Sequence, residues 1–595
     1  MRVRAPSIVA LAAVVAGVAA LPAQGAPARL RSFDSCPELV RYAQAHVERI
    51  QGPVVDRPMP MPATTAPTPD AGVKETAPAA PAADDTSATN VQEAGVDEPD
   101  VVKVLGGRYL LAVAGGRLHV VDARAATPSI VGSVQLPDGS GHELLVRGDR
   151  ALVIASGPWR PVAPGRPVEP GVAADILPAG PPTTVLADVD LGDPAAPRVL
   201  RTLSFDGSPV SARLTGSTAR VVTSSPPHWY VEPAERERAS GWVPTATLVG
   251  RRGRTRSVRR LVPCDDVRRP ATFAGPGMLS VLTVDLDRGL PAVDTDAVMT
   301  DAQTVYASPS SLYVATQRWN ADGRSDTAIH RFDAATPGET TYRQTGAVRG
   351  HLLNQFSLSE HDGVLRAATT DEGADGESES FVTTLRAQDG PLEQLGQVGG
   401  LGRGERIYAV RFIGDVGYVV TFRQTDPLYT VDLADPARPR VAGELKIPGY
   451  SAYLHPVGDG LLLGVGQDAD ENGRLRGSQL SLFDVSDPAA PRRLHQRALG
   501  TGTSDAEWDH HAFLWWPATK LAVLPVYQPS FQGAIGFRVD ARAGIDEVGR
   551  VTHDGGFAPR RSVVVGDRLL TMSDAGVEVS ALDTLAERAW LPFGG

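Results

Sequence analysis

The chain has 595 residues with 61 glycines and 49 prolines, and 58 basic against 69 acidic residues give it a formal net charge of -11. This acidic balance argues against a surface that follows phosphates, so we expect no nucleic-acid partner. Abundant glycine and proline, with only 6% aromatic residues, favour many short strands joined by turns over a helical bundle.

The first 25 residues have the pattern of an export signal. Arg2 and Arg4 form a charged start, residues 8–21 are an unbroken apolar run, and Ala23-Gln24-Gly25 offers small residues for signal peptidase. The apolar run is too short for a comfortable membrane span. We therefore predict a signal peptide over residues 1–25 and a secreted or cell-envelope protein of bacterial type with no transmembrane anchor.

One helix is predicted in the region 33–50. Ser35 is a favourable N-cap, Pro37 suits the first turn, and Glu38 completes a capping box. The apolar side chains that share one helical face are Leu39, Tyr42, Ala43, Val47 and Ile50. Residues 51–89 are rich in proline and alanine and lack apolar periodicity, which predicts a linker.

The chain contains two cysteines, Cys36 beside the helix cap and Cys264 far along the sequence. In the oxidising compartment that an export signal implies, one pair is most simply a disulfide. The alternative is two buried, unpaired thiols. A disulfide would dock the predicted helix on the main body of the protein.

A hairpin of two short apolar strands recurs nine times between residue 101 and the C-terminal region. Behind most hairpins lie a third strand that ends in aspartate and a fourth, more polar strand. The hairpins are 101–114, 143–156, 210–223, 304–316, 354–369, 407–422, 451–465, 511–525 and 561–572. Four strands in roughly 45–55 residues is typical of one blade of a β-propeller.

The turn between the third and fourth strands is itself repeated. It has the form Asp-Pro-Ala-x-Pro at residues 193–197, 435–439 and 487–491. Aspartate caps such a turn, the first proline presets φ, and the second proline suits the start of an edge strand. Three copies at equivalent places strengthen the prediction of repeated blades.

We therefore predict an all-β fold, a single large β-propeller of eight or nine four-stranded blades over residues 90–595, preceded by a short N-terminal helix. Nine units exceed the four to eight blades common in propellers. The third unit is the least regular, because residues 224–277 form an insertion within it. The alternative, two packed β-domains, would need a linker inside the repeats, and the sequence contains none.

Several segments resemble the secreted bacterial and archaeal β-propeller-domain family, which is distantly related to WD40 repeats. The segments are 89–103 (TNVQEAGVDEPDVVK), 262–267 (VPCDDV), 351–356 (HLLNQF), 449–456 (GYSAYLHP) and 507–513 (EWDHHAF). The Asp-Pro turns are similar to those of LVIVD-type repeats. The resemblance implies export and a propeller, and it implies no settled activity and no catalytic residues.

The densest polar cluster is Glu507-Trp508-Asp509-His510-His511, at the start of a predicted first strand. Carboxylates beside histidines are ligands for a transition metal. Because adjacent strand residues point to opposite faces, we expect that His510 and His511 do not share one ion. The alternative is that these residues cap a neighbouring blade through hydrogen bonds.

Other polar residues are weaker candidates for the central channel. Three histidines at comparable places in other units are either channel ligands or ordinary structural residues: His351, His361 and His455. Three carboxylates just before the first blade are expected to pin the closure of the ring, with a bound cation as the alternative: Asp97, Glu98 and Asp100.

A short acidic stretch resembles the first half of a calcium loop through Asp468, Asp470 and Asn472. The twelfth position, where a bidentate glutamate is expected, is Gln479, and two arginines intervene. A solvated hairpin turn is therefore the preferred interpretation. A divalent metal, here or in the channel, is the one cofactor the sequence suggests.

The sequence lacks the signatures of common enzymes, including the Gly-x-Ser-x-Gly elbow, the phosphate loop and His-Glu-x-x-His. The favoured hypothesis is a monomeric, non-catalytic scaffold that binds a protein or a cell-envelope glycan. Trp229, Tyr230 and Trp242 are candidates for its partner surface, and burial around the disulfide is their alternative role. The second hypothesis is a metal-assisted hydrolase with a site in the central channel.

Overall fold

The computed structural model describes residues 30–50, 85–158, 182–228, 233–250, 255–270, 273, 275–319, 324–373, 377–386, 391–422, 426–470 and 473–594. The predicted signal peptide, residues 51–84 of the predicted linker, and Trp229, Tyr230 and Asn472 lie outside these residues. Within them the chain forms one α-helix and nine β-sheets, each of which is a propeller blade.

The elements before and within the first three blades are as follows. Strand β1 spans Arg31–Ser32 and helix α1 spans Cys36–Ile50. Blade 1 consists of β2 (Val102–Leu105), β3 (Tyr109–Ala114), β4 (Arg117–Asp122) and β5 (Ser129–Gln135). Blade 2 consists of β6 (Ser140–Arg147), β7 (Arg150–Ser156), β8 (Thr183–Asp190) and β9 (Arg198–Asp206). Blade 3 is built around β10 (Ser208–Thr215), β11 (Thr218–Ser225), β15 (Met278–Asp285) and β16 (Asp294–Val298). Between β11 and β15 the insertion contributes β12 (Thr245–Gly250), β13 (Thr255–Arg260) and β14 (Val267–Arg269).

Each of the remaining six blades is built from four consecutive strands. Blades 4 and 5 are β17 (Thr304–Ala307), β18 (Ser311–Trp319), β19 (Ser325–Asp333), β20 (Thr341–Arg349), and β21 (Leu358–His361), β22 (Val364–Glu372), β23 (Ser378–Arg386), β24 (Glu393–Leu401). Blades 6 and 7 are β25 (Arg406–Ile413), β26 (Val416–Phe422), β27 (Asp426–Asp432), β28 (Arg440–Ile447), and β29 (Tyr450–Gly458), β30 (Leu461–Ala469), β31 (Leu475–Asp484), β32 (Arg492–Gly500). Blades 8 and 9 are β33 (Leu514–Trp516), β34 (Leu521–Gln528), β35 (Phe531–Asp540), β36 (Gly544–Val551), and β37 (Arg561–Val565), β38 (Arg568–Met572), β39 (Gly576–Ala581), β40 (Glu587–Pro592).

The insertion in the third unit widens two blades and leaves the ring intact. Strand β12 pairs with β9, so β12 and β13 extend the outer edge of blade 2 to six strands. Strand β14 pairs with β16 and β1 pairs with β14, so blade 3 also has six strands. The third unit is therefore a full blade, and the prediction of a propeller with eight or nine blades is confirmed with nine.

The predicted N-terminal helix is present and is fixed to the outside of blade 3. A disulfide joins Cys36 to Cys264, with 5.1 Å between the Cα atoms, and Glu38 forms an ion pair of 3.0 Å with Arg269 of β14. The apolar face of the helix packs on a core cluster that includes Trp242. Trp242 is only 2% exposed, so the prediction that it forms a partner surface is wrong, and it serves instead to bury the disulfide region.

The repeated Asp-Pro turns lock neighbouring blades together. In blade 7, Asp487 caps its turn by accepting a hydrogen bond of 2.9 Å from the Ala489 amide, and Thr430 of blade 6 donates to the Pro488 carbonyl. The same carbonyl faces Gly443 in the fourth strand of blade 6, where a Cβ atom would lie 2.5 Å from it. Gly132 and Gly396 meet the turns at 193–197 and 435–439 in the same way.

Replacing Gly443 by alanine is expected to lower the free energy of unfolding by about 1–3 kcal/mol, because the added methyl group would displace a backbone turn in a close-packed contact. Urea denaturation measures the loss. The matched control is Val441→Ala, since Val441 lies in the same strand and is 40% exposed; its effect should stay within about 0.5 kcal/mol. Equal effects of the two substitutions would contradict this account of the turn.

The ring closes by side-chain packing between the first and last blades. Val101, Val102 and Leu110 of blade 1 share one core cluster with Val563 and Leu570 of blade 9. Arg568 also donates hydrogen bonds from blade 9 to the backbone carbonyls of Ala123 and Ala125, just after β4. Among the described helices, none has the length and apolar character required to cross a membrane.

Candidate functional site

The segment that precedes blade 1 occupies the central channel. We call residues 85–100 the channel segment. It enters beside blade 9, where Thr86 bridges Val565 and the Ser87 amide donates a hydrogen bond of 2.9 Å to the Val564 carbonyl. The channel segment therefore pairs through its backbone with the inner strand of blade 9, β37, before it crosses the ring.

The channel segment then contacts most of the other blades. Asn90 donates hydrogen bonds of 2.8 Å to the Tyr453 hydroxyl of blade 7 and to the His510 carbonyl beside blade 8. At blade 5, Gln92 donates hydrogen bonds to the carbonyls of Gln355 and Leu358, and at blade 4 the Tyr306 hydroxyl donates to Glu93. Asp97 pairs with the backbone of Leu214 in blade 3, and Asp100 pairs with the backbone of Leu144 in blade 2. Several of its side chains are buried, including Gln92, Glu93, Val96, Glu98 and Asp100. The segment is thus an integral hub of the ring.

The centre of the hub is the carboxylate of Glu98. Its Oε1 atom accepts a hydrogen bond of 3.0 Å from the backbone N–H of Gln92 and lies 3.8 Å from Arg213 Nε. Its Oε2 atom lies 3.1 Å from His510 Nε2 and 3.5 Å from His511 Nε2. Gln355 Nε2 donates to the same Oε2 at 3.2 Å. Three nitrogen atoms therefore lie within 3.5 Å of a single buried oxygen atom.

A second ion pair lies next to Glu98. Arg561 donates from Nε to Asp100 Oδ1 at 2.6 Å and lies 2.8 Å from Asp509 Oδ2 through its NH2 group. The other Asp509 oxygen accepts a hydrogen bond of 3.0 Å from the His511 amide. Glu143 of β6 is close enough to His511, Asp100 and Arg561 to interact with them electrostatically. We call the full set the channel cluster: Glu98, Asp100, Glu143, Arg213, Asp509, His510, His511 and Arg561.

The charges of the channel cluster determine its protonation. Burial alone would raise the pKa of Glu98, but the Arg213 guanidinium and the two imidazoles outweigh it and hold that pKa well below its usual value. Burial raises the pKa of Glu143 to about 7, against the opposing positive charge of His511 and with the negative charge of Asp100 adding to the effect of burial. Glu98 is therefore held as a carboxylate, whereas Glu143 titrates near neutral pH.

The expectation that His510 and His511 do not share one ion assumed that both lie in an extended strand, and the structure corrects that assumption. They lie on a short 3-10 turn, His510–Ala512, which Asp509 caps, and they are not in an extended strand. The turn brings the two ring centroids within 3.9 Å of each other, and both Nε2 atoms face Glu98. Strand alternation therefore does not apply here.

The other predicted histidines do not join this cluster. His455 lies nearby on β29, where its Nδ1 atom is 2.8 Å from the Tyr453 hydroxyl. His351 forms a backbone bridge with Thr370 at the start of blade 5. His361 lies at the opposite end of the first strand of that blade, with its Nε2 atom 3.6 Å from Asp415. Among the described residues, the one group of three ligand-type side chains within 4.8 Å of one another is Glu98, His510 and His511.

In the stretch that resembles a calcium loop, the described residues make local hydrogen bonds typical of a strand end. Asp470 Oδ1 accepts a hydrogen bond of 3.0 Å from the Arg474 amide and caps the turn. Asp468 Oδ1 instead accepts a hydrogen bond of 3.1 Å from Gln496, which lies on β32. These contacts agree with the interpretation as a turn, and calcium binding at this position stays a prediction.

A cavity of about 350 Å³ adjoins the channel cluster. The channel segment forms one wall, and His455, His511, Trp515 and Arg561 contribute to the others. Sequence reasoning had identified Glu98, Asp509, His510 and His511 but missed Arg213, Gln355 and Arg561. Arginines within predicted inner strands were the available signal, since a buried guanidinium requires a carboxylate partner.

The fold and the channel segment agree with a comparison against protein families. The family model described as the Beta propeller domain matches residues 86–585. The chain belongs to this family. The match begins at Thr86, so residues 86–100 of the channel segment fall within the matched region.

Two archaeal relatives match parts of the chain. An uncharacterised protein of Methanocaldococcus jannaschii is 45% identical over 188 residues, which are 32% of this chain and 29% of that protein. An uncharacterised protein of Archaeoglobus fulgidus is 46% identical over 168 residues, which are 28% of this chain and 25% of that protein. This chain therefore matches less than a third of the length of either relative.

Solved structures share the general architecture at low similarity. Sqt1 of Saccharomyces cerevisiae has a TM-score of 0.35 at 11% identity, over 53% of this chain and 80% of that chain. A eukaryotic initiation factor has a TM-score of 0.35 at 9% identity, over 83% of this chain and 90% of that chain. These values are too low to support a functional comparison.

Proposed function

We propose that this member of the Beta propeller domain family is an exported, non-catalytic scaffold that binds a protein or a cell-envelope glycan. The observation that carries the proposal is the occupied channel. Residues 85–100 take up the space where a propeller would otherwise admit a small substrate, and the charged groups there are largely engaged with one another. The surface left for a partner is formed by the loops of nine blades, and loops on a rigid framework are common binding surfaces.

Export is the cellular part of this proposal. It rests on the signal-like pattern of residues 1–25. The disulfide between Cys36 and Cys264 supports it, because such bonds persist mainly in oxidising compartments.

A metal-assisted hydrolase is the second candidate function, and the cavity of about 350 Å³ favours it. His511 and Arg561 both line this cavity, so a small anionic substrate could meet a histidine and a guanidinium there. The scaffold is preferred because Glu98 and His510 are 3% and 4% exposed at the side chain, which leaves little room for a substrate to reach them.

The binding test uses the chain from Ala26, immobilised and exposed separately to purified envelope glycan and to exported proteins of the producing cell. The two ends of the blades are distinguished by charge reversal. Asp362→Lys with Asp415→Lys alters turns between first and second strands, whereas Arg474→Glu with Arg476→Glu alters the end of the loop between second and third strands and the start of β31. Consecutive antiparallel hairpins turn at opposite ends of a blade, so these variants probe opposite faces.

We expect saturable binding to one of the two fractions and a loss of at least tenfold in affinity in one face variant only. Equal affinities in both variants would argue against a specific face. Hydrolysis of glycosides or phosphate esters by the wild type, lost in His511→Ala, would reject the scaffold hypothesis in favour of the hydrolase hypothesis.

A further inference from the structure

We propose that Glu98, His510 and His511 form a binding site for a divalent transition metal of the zinc type, with the ligands Glu98 Oε2, His510 Nε2 and His511 Nε2. The site would join the channel segment to the turn that leads into blade 8. This inference goes beyond the scaffold function and does not depend on it, since a metal that staples the ring is compatible with a binding scaffold or an enzyme.

The geometry of the three atoms carries the proposal. Zinc binds imidazole nitrogen and carboxylate oxygen at about 2.0–2.2 Å, so two ligand atoms of a tetrahedral site lie about 3.3 Å apart. Glu98 Oε2 lies 3.1 Å from His510 Nε2 and 3.5 Å from His511 Nε2. The three ligand atoms all lie within 4.8 Å of one another. The observed separations therefore bracket the edge of a zinc tetrahedron.

The hydrogen bonding around His511 points to a missing ligand. The His511 side chain is 90% buried, since 10% of it is exposed, and its Nε2 atom makes no hydrogen bond of ordinary length with the described residues. The Glu98 oxygen that it faces already accepts hydrogen bonds from His510 and Gln355. A buried nitrogen in this position costs free energy unless it is satisfied. A bound metal would accept the lone pair of His511 Nε2 directly.

The surroundings supply support for the ligands and a free position. Asp509 Oδ1 accepts a hydrogen bond of 3.0 Å from the backbone N–H of His511 and lies 3.8 Å from His511 Nδ1, so this carboxylate holds the turn that presents His511 and adds negative charge beside its ring. His511 also lines the cavity of about 350 Å³, where a water molecule or a partner group could complete the coordination. Glu98 and His510 are 412 residues apart in sequence, so a metal here would cross-link distant parts of the chain.

The test begins with the chain from Ala26, freed of metal with a chelator and titrated with Zn²⁺ by calorimetry. We expect one equivalent of Zn²⁺ per chain and a higher melting temperature in its presence. Titration with Co²⁺ should give the visible absorption bands of a tetrahedral complex. A wild-type chain that binds no stoichiometric Zn²⁺ and gives no Co²⁺ bands would overturn the proposal.

Variants assign the ligands. Glu98→Gln keeps the shape of the side chain and should weaken Zn²⁺ binding at least 100-fold, as should His511→Ala. His361→Gln is the matched control, because His361 lies at a turn of blade 5, and its affinity should equal that of the wild type. Circular dichroism establishes that each variant is folded. Unchanged affinity in both folded Glu98→Gln and folded His511→Ala would reject this ligand set.

Discussion

Replacing Arg561 by methionine is expected to lower the free energy of unfolding by about 3–5 kcal/mol, the range typical of a buried ion pair that loses one partner. The Arg561 side chain is 6% exposed and contacts Asp100, which is 3% exposed, as well as Asp509. Without the guanidinium, Asp100 would remain buried without a countercharge. Urea denaturation followed by tryptophan fluorescence measures the loss.

Two controls identify the cause. Arg588→Met removes an ion pair with Asp567 in which both side chains are exposed, so its effect should be below about 1 kcal/mol. The double variant Arg561→Met with Asp100→Asn should recover part of the stability, because it removes the unpaired carboxylate as well. A loss below about 1 kcal/mol for Arg561→Met alone would show that the pair does not stabilise the hub.

The second large effect is expected from the disulfide. Replacing Cys36 and Cys264 together by serine should lower the free energy of unfolding by about 2–5 kcal/mol, because the bond restricts the unfolded chain across a separation of 228 residues. Helix α1 should then be released more readily from its core cluster. Thermal unfolding with and without a reductant measures the loss, and proteolysis near residue 50 reports the release of the helix.

The comparison with the reductant provides an internal control. Reduced wild-type protein should match the double serine variant, and the variant itself should not respond to the reductant. If reduction leaves the melting temperature of the wild type unchanged, the packing of α1 on Trp242, Val262 and Met299 is sufficient to hold the helix, and the predicted effect is wrong.

Local patterns were sufficient to predict the blades. The nine hairpins and the Asp-Pro turns depend on interactions between residues close in sequence, such as Asp487 with the Ala489 amide. The sequence left eight and nine blades as alternatives, because the strands of the insertion pair with β9 and β16, which no local pattern indicates. The glycines that receive the turns were not predicted either, since Gly443 meets Pro488 only when two blades are packed.

The channel cluster was predicted only in part, because some of its contacts are local in sequence and others join distant parts of the chain. Asp509, His510 and His511 are adjacent in sequence, so they were recognised as a polar cluster. The carboxylates within residues 97–100 were expected to pin the closure of the ring. That Glu98 meets the histidines depends on the closure of the ring over hundreds of residues. The short turn at His510–Ala512 changed the directions of the two imidazoles from those expected for a strand.

The channel segment has a consequence for cooperativity. In a simple repeat protein, each unit contacts only its neighbours, and stability is close to a sum over units and interfaces. Here residues 85–100 contact blades 2, 3, 4, 5, 7, 8 and 9 directly and lead into blade 1. These sixteen residues are synthesised before any blade, yet their binding positions exist only when the last blade has formed. The blades should therefore gain and lose their native state as one unit, and a chain shortened by one blade should lose far more stability than one interface contributes.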